Sequence, residues 1–147
     1  MAVCFQNHKR QWRVINGILT ILFLIAILYT TIIKREADFS HTMPFIRTIE
    51  HIRQQPELIR EMVMNAFLFF PFGLTAPYAL ESLSCMKNRR SWIVFITIIS
   101  ALLLSTTIEL IQYLSNFGNC ELSDIVMNTI GAAIGSVSYL VSCKLRR

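Results

Sequence analysis

Long apolar runs dominate the pattern of hydrophobic and polar positions along this chain. Four runs reach membrane-spanning length, each flanked by charged residues, and they cover 14–33, 62–80, 92–114 and 125–143. Each run holds 19 to 23 residues, and about 20 helical residues cross a hydrocarbon core of about 30 Å. The pattern therefore predicts an all-α protein, an integral membrane four-helix bundle that forms a single domain over 1–147.

Composition supports a membrane protein over a soluble bundle. Apolar residues make up 54% of the 147 residues, charged residues only 16%, and the mean hydropathy is +0.51. Soluble domains carry about 25% charged residues, so a fully solvated surface would be hard to build from this sequence. The first run is too long for a signal peptide, and no small-residue cleavage site precedes "KREADF", so we interpret it as a retained helix.

Lysine and arginine are distributed unequally between the two sides that these helices define. Nine of the 14 lie in the N-terminal tail, the loop between the second and third runs, and the C-terminal tail. The other five lie between the first and second runs, where acidic residues match them. Since the basic side faces the cytoplasm, we expect both termini to be cytoplasmic. The net charge of +5 then reflects residues beside anionic headgroups and requires no nucleic-acid partner.

The stretch between the first and second runs, 34–61, mixes apolar and charged residues at helical spacing in "FIRTIEHIRQQPELIREM". We predict an extracytoplasmic amphipathic segment along the membrane surface, bounded by Pro44 and Pro56. A solvated loop with one helical turn is the alternative. We interpret His41 and His51, which lie here, as surface histidines.

The cysteines indicate neither a disulfide nor a zinc site. Cys120 alone falls on the outer side, whereas Cys4, Cys85 and Cys143 fall on or near the cytoplasmic side. No exterior pair exists, so an intramolecular disulfide is not expected. No Cys/His cluster has zinc spacing, so we predict no metal site and no cofactor. A divalent cation held between carboxylates is the exception left open.

Several polar residues inside the apolar runs converge on one depth under this topology. Asn65 lies about one turn below the outer surface. Glu109 lies 17 residues after Trp92, which is roughly 25 Å of helical rise. Asp124 lies at the N-terminal end of the fourth helix, and Asn128 lies one turn deeper. These polar groups should therefore meet in the outer leaflet.

Two of the predicted helices carry a polar or small face. On the fourth, residues step by 4, 3, 4, 3 and 4 through Asp124, Asn128, Gly131, Gly135, Ser138 and Ser142. On the third, the face consists of Ser105, Glu109 and Gln112. Glycines at this spacing let a neighbouring backbone approach closely. Because a short loop makes consecutive helices antiparallel, we expect these two faces to pack together and to place Glu109 beside Asp124.

Two interpretations account for acids in such positions. In the first they stabilise helix packing, where polar pairs contribute about 0.6 to 2 kcal/mol, and Asp124 with Ser123 caps the fourth helix. In the second they form a site, since intramembrane acids are functional candidates. Neighbouring carboxylates repel unless they share a proton or a cation. This repulsion favours the site, because amides would stabilise the packing at lower cost.

The second helix contains a proline at mid-membrane depth in "FFPFG". Pro71 removes one backbone hydrogen bond and can kink the helix, and Gly73 permits close packing beside it. We interpret Pro71 as a tolerated transmembrane proline, with a kink that opens a lateral groove as the alternative.

The combination of "NAFLFFPFG", "IELIQ" and "DIVMNTIGAAIG" resembles the VanZ-like family of small bacterial membrane proteins, whose founding type is tied to teicoplanin resistance. The matching residues are Asn65, Pro71, Phe72, Gly73, Glu109, Gln112, Asp124, Asn128, Thr129 and Gly131. The family often shows an arginine and several aspartates before the last helix, where this chain has "FGNCELSD". If that arginine binds an anionic headgroup in the family, this chain either recognises a different group or uses another cation, such as Arg60.

The resemblance implies a protein of the bacterial cytoplasmic membrane with membrane lipids or a lipid-linked envelope precursor as partners. We expect it to contribute to glycopeptide resistance by binding or altering such a molecule at the outer leaflet, through Asn65, Gln112, Asn128 and Arg60. An intramembrane enzyme acting on a lipid headgroup is the alternative, with Glu109 as general base and Asp124 as its partner or cation ligand. A structural or assembly subunit is a third possibility.

Overall fold

A computed structural model describes residues 2–33, 56–81, 89–115 and 122–145 of the chain. They form four α-helices, which are α1 (Ala2–Leu28), α2 (Pro56–Glu81), α3 (Arg90–Ser115) and α4 (Leu122–Leu145), with a π-helical segment, Tyr29–Ile33, that continues α1. The described residues contain no strand. All four helices are long and apolar enough to cross a membrane, which confirms the prediction of an all-α, four-helix membrane protein.

The helices extend beyond the apolar runs at their ends. α1 begins at Ala2 because the polar residues before Val14 include no proline or glycine that would stop a helix. α2 begins at Pro56, whose fixed φ suits the first position of a helix. Residues 56–61 of the predicted surface segment therefore belong to α2. The remainder of that segment, 34–55, lies outside the described residues.

Contacts between the helices define their relative directions. Gly131 of α4 meets Ala66 of α2, and further along both helices Ser142 meets Tyr78, so α2 and α4 are parallel. Only six residues separate α3 from α4, which makes that pair antiparallel. We call the end of the bundle where α2 and α4 begin and α3 finishes the Asp124 end, and the opposite end the Lys144 end.

The closest helix contact is the glycine seam, formed by Gly73 of α2 and Gly131 and Gly135 of α4. A Cβ atom added to Gly131 would lie 2.7 Å from the carbonyl carbon of Ala66, and one added to Gly73 would lie 2.6 Å from the Cα of Ala132. A Cβ on Gly135 would lie 2.7 Å from the backbone nitrogen of Leu74. A larger side chain at any of these positions would force the two helices apart. The prediction that these glycines contact a helix tightly is therefore confirmed.

The partner of those glycines differs from the expected one. The prediction that the α4 glycines pack against α3 is wrong, because they pack against α2. Close backbone approach requires small residues on both helices, and α2 supplies Gly73 and Ala66 at the facing positions. α3 contacts α4 through Ser105 instead. The apolar core beside these contacts consists of Ile27, Phe69, Phe72, Ala76, Ala101, Ile108 and Ala132.

α2 continues without a break through two prolines, Pro71 and Pro77. A proline at position 77 provides no N–H for the carbonyl of Gly73, four residues earlier. The Ser136 hydroxyl of α4 donates a hydrogen bond to that carbonyl at 3.1 Å. A side chain of the parallel helix thus satisfies the group that Pro77 leaves. The helix also continues through Pro71, in keeping with the interpretation of Pro71 as a tolerated transmembrane proline.

Candidate functional site

Buried polar side chains collect between α3 and α4 toward the Asp124 end. Each of these side chains is at most 8% exposed, and we call them the polar cluster: Ser105, Glu109, Gln112, Ser123, Asp124 and Asn128. On α3 they fall at steps of four and three, so they share a face, and on α4 Asp124 and Asn128 are four apart and do the same. The predicted α4 face is buried at Asp124 and Asn128, whereas its members Ser138 and Ser142 are only partly buried.

A hydrogen bond between Asn128 and Ser105 determines the register of the antiparallel pair. The Asn128 Nδ2 donates to the Ser105 Oγ at 2.8 Å, and both residues are buried. One turn further toward the Asp124 end, the same faces carry Glu109 on α3 and Asp124 on α4. The two acids therefore stand level with each other on facing helices.

The surroundings of the two acids differ. Asp124 lies in the first turn of α4, where the helix dipole and exposed backbone N–H groups favour a negative charge. Asp124 is nevertheless only 8% exposed, so its carboxylate does not point into bulk water as a simple surface cap would. Glu109 lies well inside α3 at 2% exposure, where charge is costly without polar partners. Each acid makes polar interactions, as does neighbouring Ser123.

One atom of the cluster is left unsatisfied. The Oδ1 of Asn128 is buried and has no hydrogen-bond partner in the described part of the chain, although the Nδ2 of the same amide is bonded. An unpaired buried acceptor costs about 1 to 3 kcal/mol. The two halves of the Asn128 amide therefore differ: the Nδ2 joins α4 to α3, and the Oδ1 has no partner among the described residues.

Gln112 has a structural contact in addition to its place in the cluster. Its Nε2 donates to the backbone carbonyl of Thr31 at 2.6 Å. Thr31 belongs to the π-helical segment that ends α1, where terminal carbonyls lack partners within the helix. The Gln112 amide therefore ties the end of α1 to α3, which shows that α1 and α3 finish at the same end of the bundle.

The two remaining predicted binding residues lie on α2. Since Ala66 faces Gly131 and the helices are parallel, Arg60 lies about level with Asp124, and Asn65 lies about level with the first glycine of the seam. The Arg60 side chain is exposed and that of Asn65 is half-buried. The structure thus brings Glu109, Asp124, Asn128 and Gln112 to one end of the bundle, with Arg60 at the same level on the outer surface of α2.

The cluster is rich in hydrogen-bond acceptors. In the described ranges no group of three or more His, Cys, Asp or Glu residues has the geometry to hold a metal ion. Two level carboxylates can accept hydrogen bonds, hold a proton between them or accept one from a ligand. The arrangement is therefore suited to binding a donor-bearing group or to general-base chemistry.

Sequence reasoning missed a second set of polar contacts at the Lys144 end. The Ser142 hydroxyl donates to the carbonyl of Tyr139 at 2.7 Å, so the contact between Ser142 and Tyr78 has the tyrosine as donor. The buried ring of Tyr139 packs edge-on against Tyr78 with ring centroids 4.7 Å apart. Glu81 and Arg90 pair nearby at 3.5 Å. No local sequence signal marks these contacts, because each joins different helices or depends on the backbone.

Similarity to known proteins extends over most of the chain. The VanZ/LLP1 family matches residues 5–143. Protein VanZ of Enterococcus faecium is 31% identical over 85 residues, which covers 58% of this chain and 47% of that protein. The chain thus aligns with about half the length of this curated relative. No solved structure matches the chain.

Proposed function

The chain belongs to the VanZ/LLP1 family, and we propose that it is an envelope protein that lowers teicoplanin susceptibility by binding a lipid-linked molecule through the polar cluster. Similarity to Protein VanZ of Enterococcus faecium supports the link to glycopeptide resistance. The observation that carries the proposal is the cluster itself. Two buried acids stand level on facing helices, one turn from the hydrogen bond between Asn128 and Ser105, an arrangement that packing alone does not require.

The proposed location is the outer leaflet of the bacterial cytoplasmic membrane. Nine of 14 lysines and arginines belong to the side that holds both termini, and the basic side faces the cytoplasm. The Asp124 end then faces outward, at the depth of lipid headgroups.

Variants that keep one cysteine test this orientation. An impermeant thiol reagent should label Cys120 and not Cys4 in intact cells, and the reverse labelling would invert the topology.

Antibiotic susceptibility tests the function. Cells of a teicoplanin-susceptible host that express the chain should need a higher inhibitory concentration than cells with an empty vector. Asp124→Asn should abolish this difference, because asparagine keeps the helix-capping capacity and removes only the charge. The matched control is Thr106→Ala, since the Thr106 hydroxyl is exposed and bonds to the carbonyl of Leu102 in its own helix.

Two results would contradict the proposal. The first is an unchanged inhibitory concentration in cells that hold the intact protein in the membrane. The second is full protection by Asp124→Asn, which would remove the acid from the function. Membrane-fraction immunoblots of each strain keep a loss of protein distinct from a loss of activity.

A second candidate is an intramembrane enzyme with Glu109 as general base, favoured by the burial of that acid at 2% exposure opposite Asp124. Mass spectrometry of lipid extracts separates the candidates. An enzyme should produce a modified lipid that Glu109→Gln abolishes, whereas a binding protein should leave the lipid composition unchanged.

A further inference from the structure

A groove runs along the exposed surface of α4, in the half of the helix that ends at Lys144. It has a cavity volume of about 490 Å³ and is lined by residues between Ala133 and Leu145. Val137 and Val141 in its wall are each 52% exposed. Because this helix is long and apolar enough to cross a membrane, the groove opens to the hydrocarbon of the bilayer and not to water.

The lining of the groove is apolar except for two serines, Ser138 and Ser142. A serine hydroxyl has one O–H donor. Ser138 donates to the carbonyl of Ile134, and Ser142 donates to the carbonyl of Tyr139. Both donors therefore stay within α4, and the groove presents an apolar wall that suits a hydrocarbon occupant.

The dimensions of the groove match one hydrocarbon chain. From Ala133 to Leu145 the helix rises about 18 Å, close to the roughly 15 Å of hydrocarbon in one leaflet. Dividing the volume of about 490 Å³ by this length gives a mean cross-section of about 27 Å². A helix about 10 Å in diameter has a cross-section of about 80 Å², so a neighbouring helix would not fit inside the groove.

The groove ends beside a cation. Lys144 is exposed in the last turn of α4 and forms no ion pair with another described residue. Val141 and Val137 lie three and seven residues earlier, so Lys144 shares a face with the wall of the groove. Two arginines, Arg146 and Arg147, follow in the sequence. This charge is complementary to an anionic headgroup.

We propose that this groove binds an anionic phospholipid, with one acyl chain along α4 and the phosphate at the Lys144 ammonium. The inference goes beyond the proposed function, because the groove lies at the opposite end of the bundle from the polar cluster. It also holds for either orientation of the chain in the membrane, since headgroup and cation share the Lys144 end.

Native mass spectrometry of the purified full-length protein in detergent tests the proposal, because it counts bound lipids and protein copies together. The protein is titrated with phosphatidylglycerol, which has a net negative charge, and with zwitterionic phosphatidylcholine of the same acyl chains. One basic residue near a headgroup predicts that phosphatidylglycerol binds at least about fivefold more tightly.

Two pairs of variants locate the binding. Val137→Trp fills the groove and should weaken phosphatidylglycerol binding at least about tenfold, whereas Leu103→Trp, at a 62% exposed position of α3, should leave it unchanged. Lys144→Gln should reduce the preference for phosphatidylglycerol about fivefold. Its control is Arg89→Gln, which removes one charge from an exposed position beside the start of α3 and should retain the preference. Circular dichroism confirms that each variant is folded.

Three results would overturn the inference. One is equal affinity of the wild-type protein for both lipids. Another is a loss of binding that is the same in each variant and its control, which would reduce the effect to general charge or general apolar contact. The third is a lipid-free dimer that Val137→Trp dissociates, which would assign the groove to a second copy of the chain. None of these measurements uses an antibiotic, so their outcome is independent of the teicoplanin test.

Discussion

The glycine seam and the polar cluster both include residues of α4, but they contain different kinds of contact. In the seam, backbones meet directly, and the carbonyl that Pro77 leaves without a donor receives one from Ser136. In the polar cluster, side chains meet, and among the described residues the Oδ1 of Asn128 has no hydrogen-bond partner. Direct backbone contact explains the first region and does not explain the buried acids of the second. We propose that the seam maintains the fold and that the cluster serves a ligand.

The largest effect on folding is expected at the seam. Gly131→Leu should unfold the bundle or destabilise it by more than about 4 kcal/mol, because the new side chain would collide with the backbone of Ala66. Thermal unfolding in detergent, followed by circular dichroism, measures this effect.

The control for that substitution introduces the same residue one position earlier. Ile130 is 42% exposed, so Ile130→Leu should leave the midpoint of thermal unfolding nearly unchanged. Equal tolerance of leucine at both positions would show that the seam is not the principal packing contact.

A smaller effect is expected where the cluster also supports the fold. Gln112→Glu replaces the donor that bonds the Thr31 carbonyl with an acceptor, which should destabilise the protein by about 2 kcal/mol. Because this contact ties α1 to α3, limited proteolysis should also release α1 earlier. If neither the midpoint nor the cleavage pattern changed, Gln112 would belong to the ligand-binding part of the cluster alone.

The smallest expected effect comes from a single hydrogen bond of the seam. Ser136→Ala leaves the Gly73 carbonyl without its donor, which should destabilise the protein by about 1 kcal/mol, near the usual value for such bonds in membranes. Ser138→Ala is the matched control, because the exposed Ser138 hydroxyl bonds to the carbonyl of Ile134 in its own helix. A larger loss from the control would remove the explanation offered for Pro77.

The helices and the level of the acids were predictable because both depend on local patterns. Apolar length indicates a membrane helix, and residues four apart share a face. The short connection between α3 and α4 makes these helices antiparallel, and this is enough to place Glu109 level with Asp124. The ends of the helices were less predictable, since the polar residues before Val14 can continue a helix beyond the apolar region.

The partner of the glycines was not predictable in the same way. A small-residue face shows that some backbone approaches closely, but every other helix is a candidate, and adjacency in sequence favoured α3 over α2. The pairing of Ser136 with the carbonyl of Gly73 joins residues 63 positions apart. Gln112 bonds a backbone carbonyl, and a carbonyl occurs at every residue, so no sequence pattern marks it.

The most direct test of the division between seam and cluster measures stability and teicoplanin resistance on the same two variants, Glu109→Gln and Ser136→Ala, at equal amounts in the membrane. We predict that Ser136→Ala loses stability and keeps its resistance, because the cluster is untouched. We predict that Glu109→Gln stays folded and loses its resistance, because the carboxylate is removed. Resistance that simply followed stability in both variants would contradict the account and leave Glu109 as a packing residue.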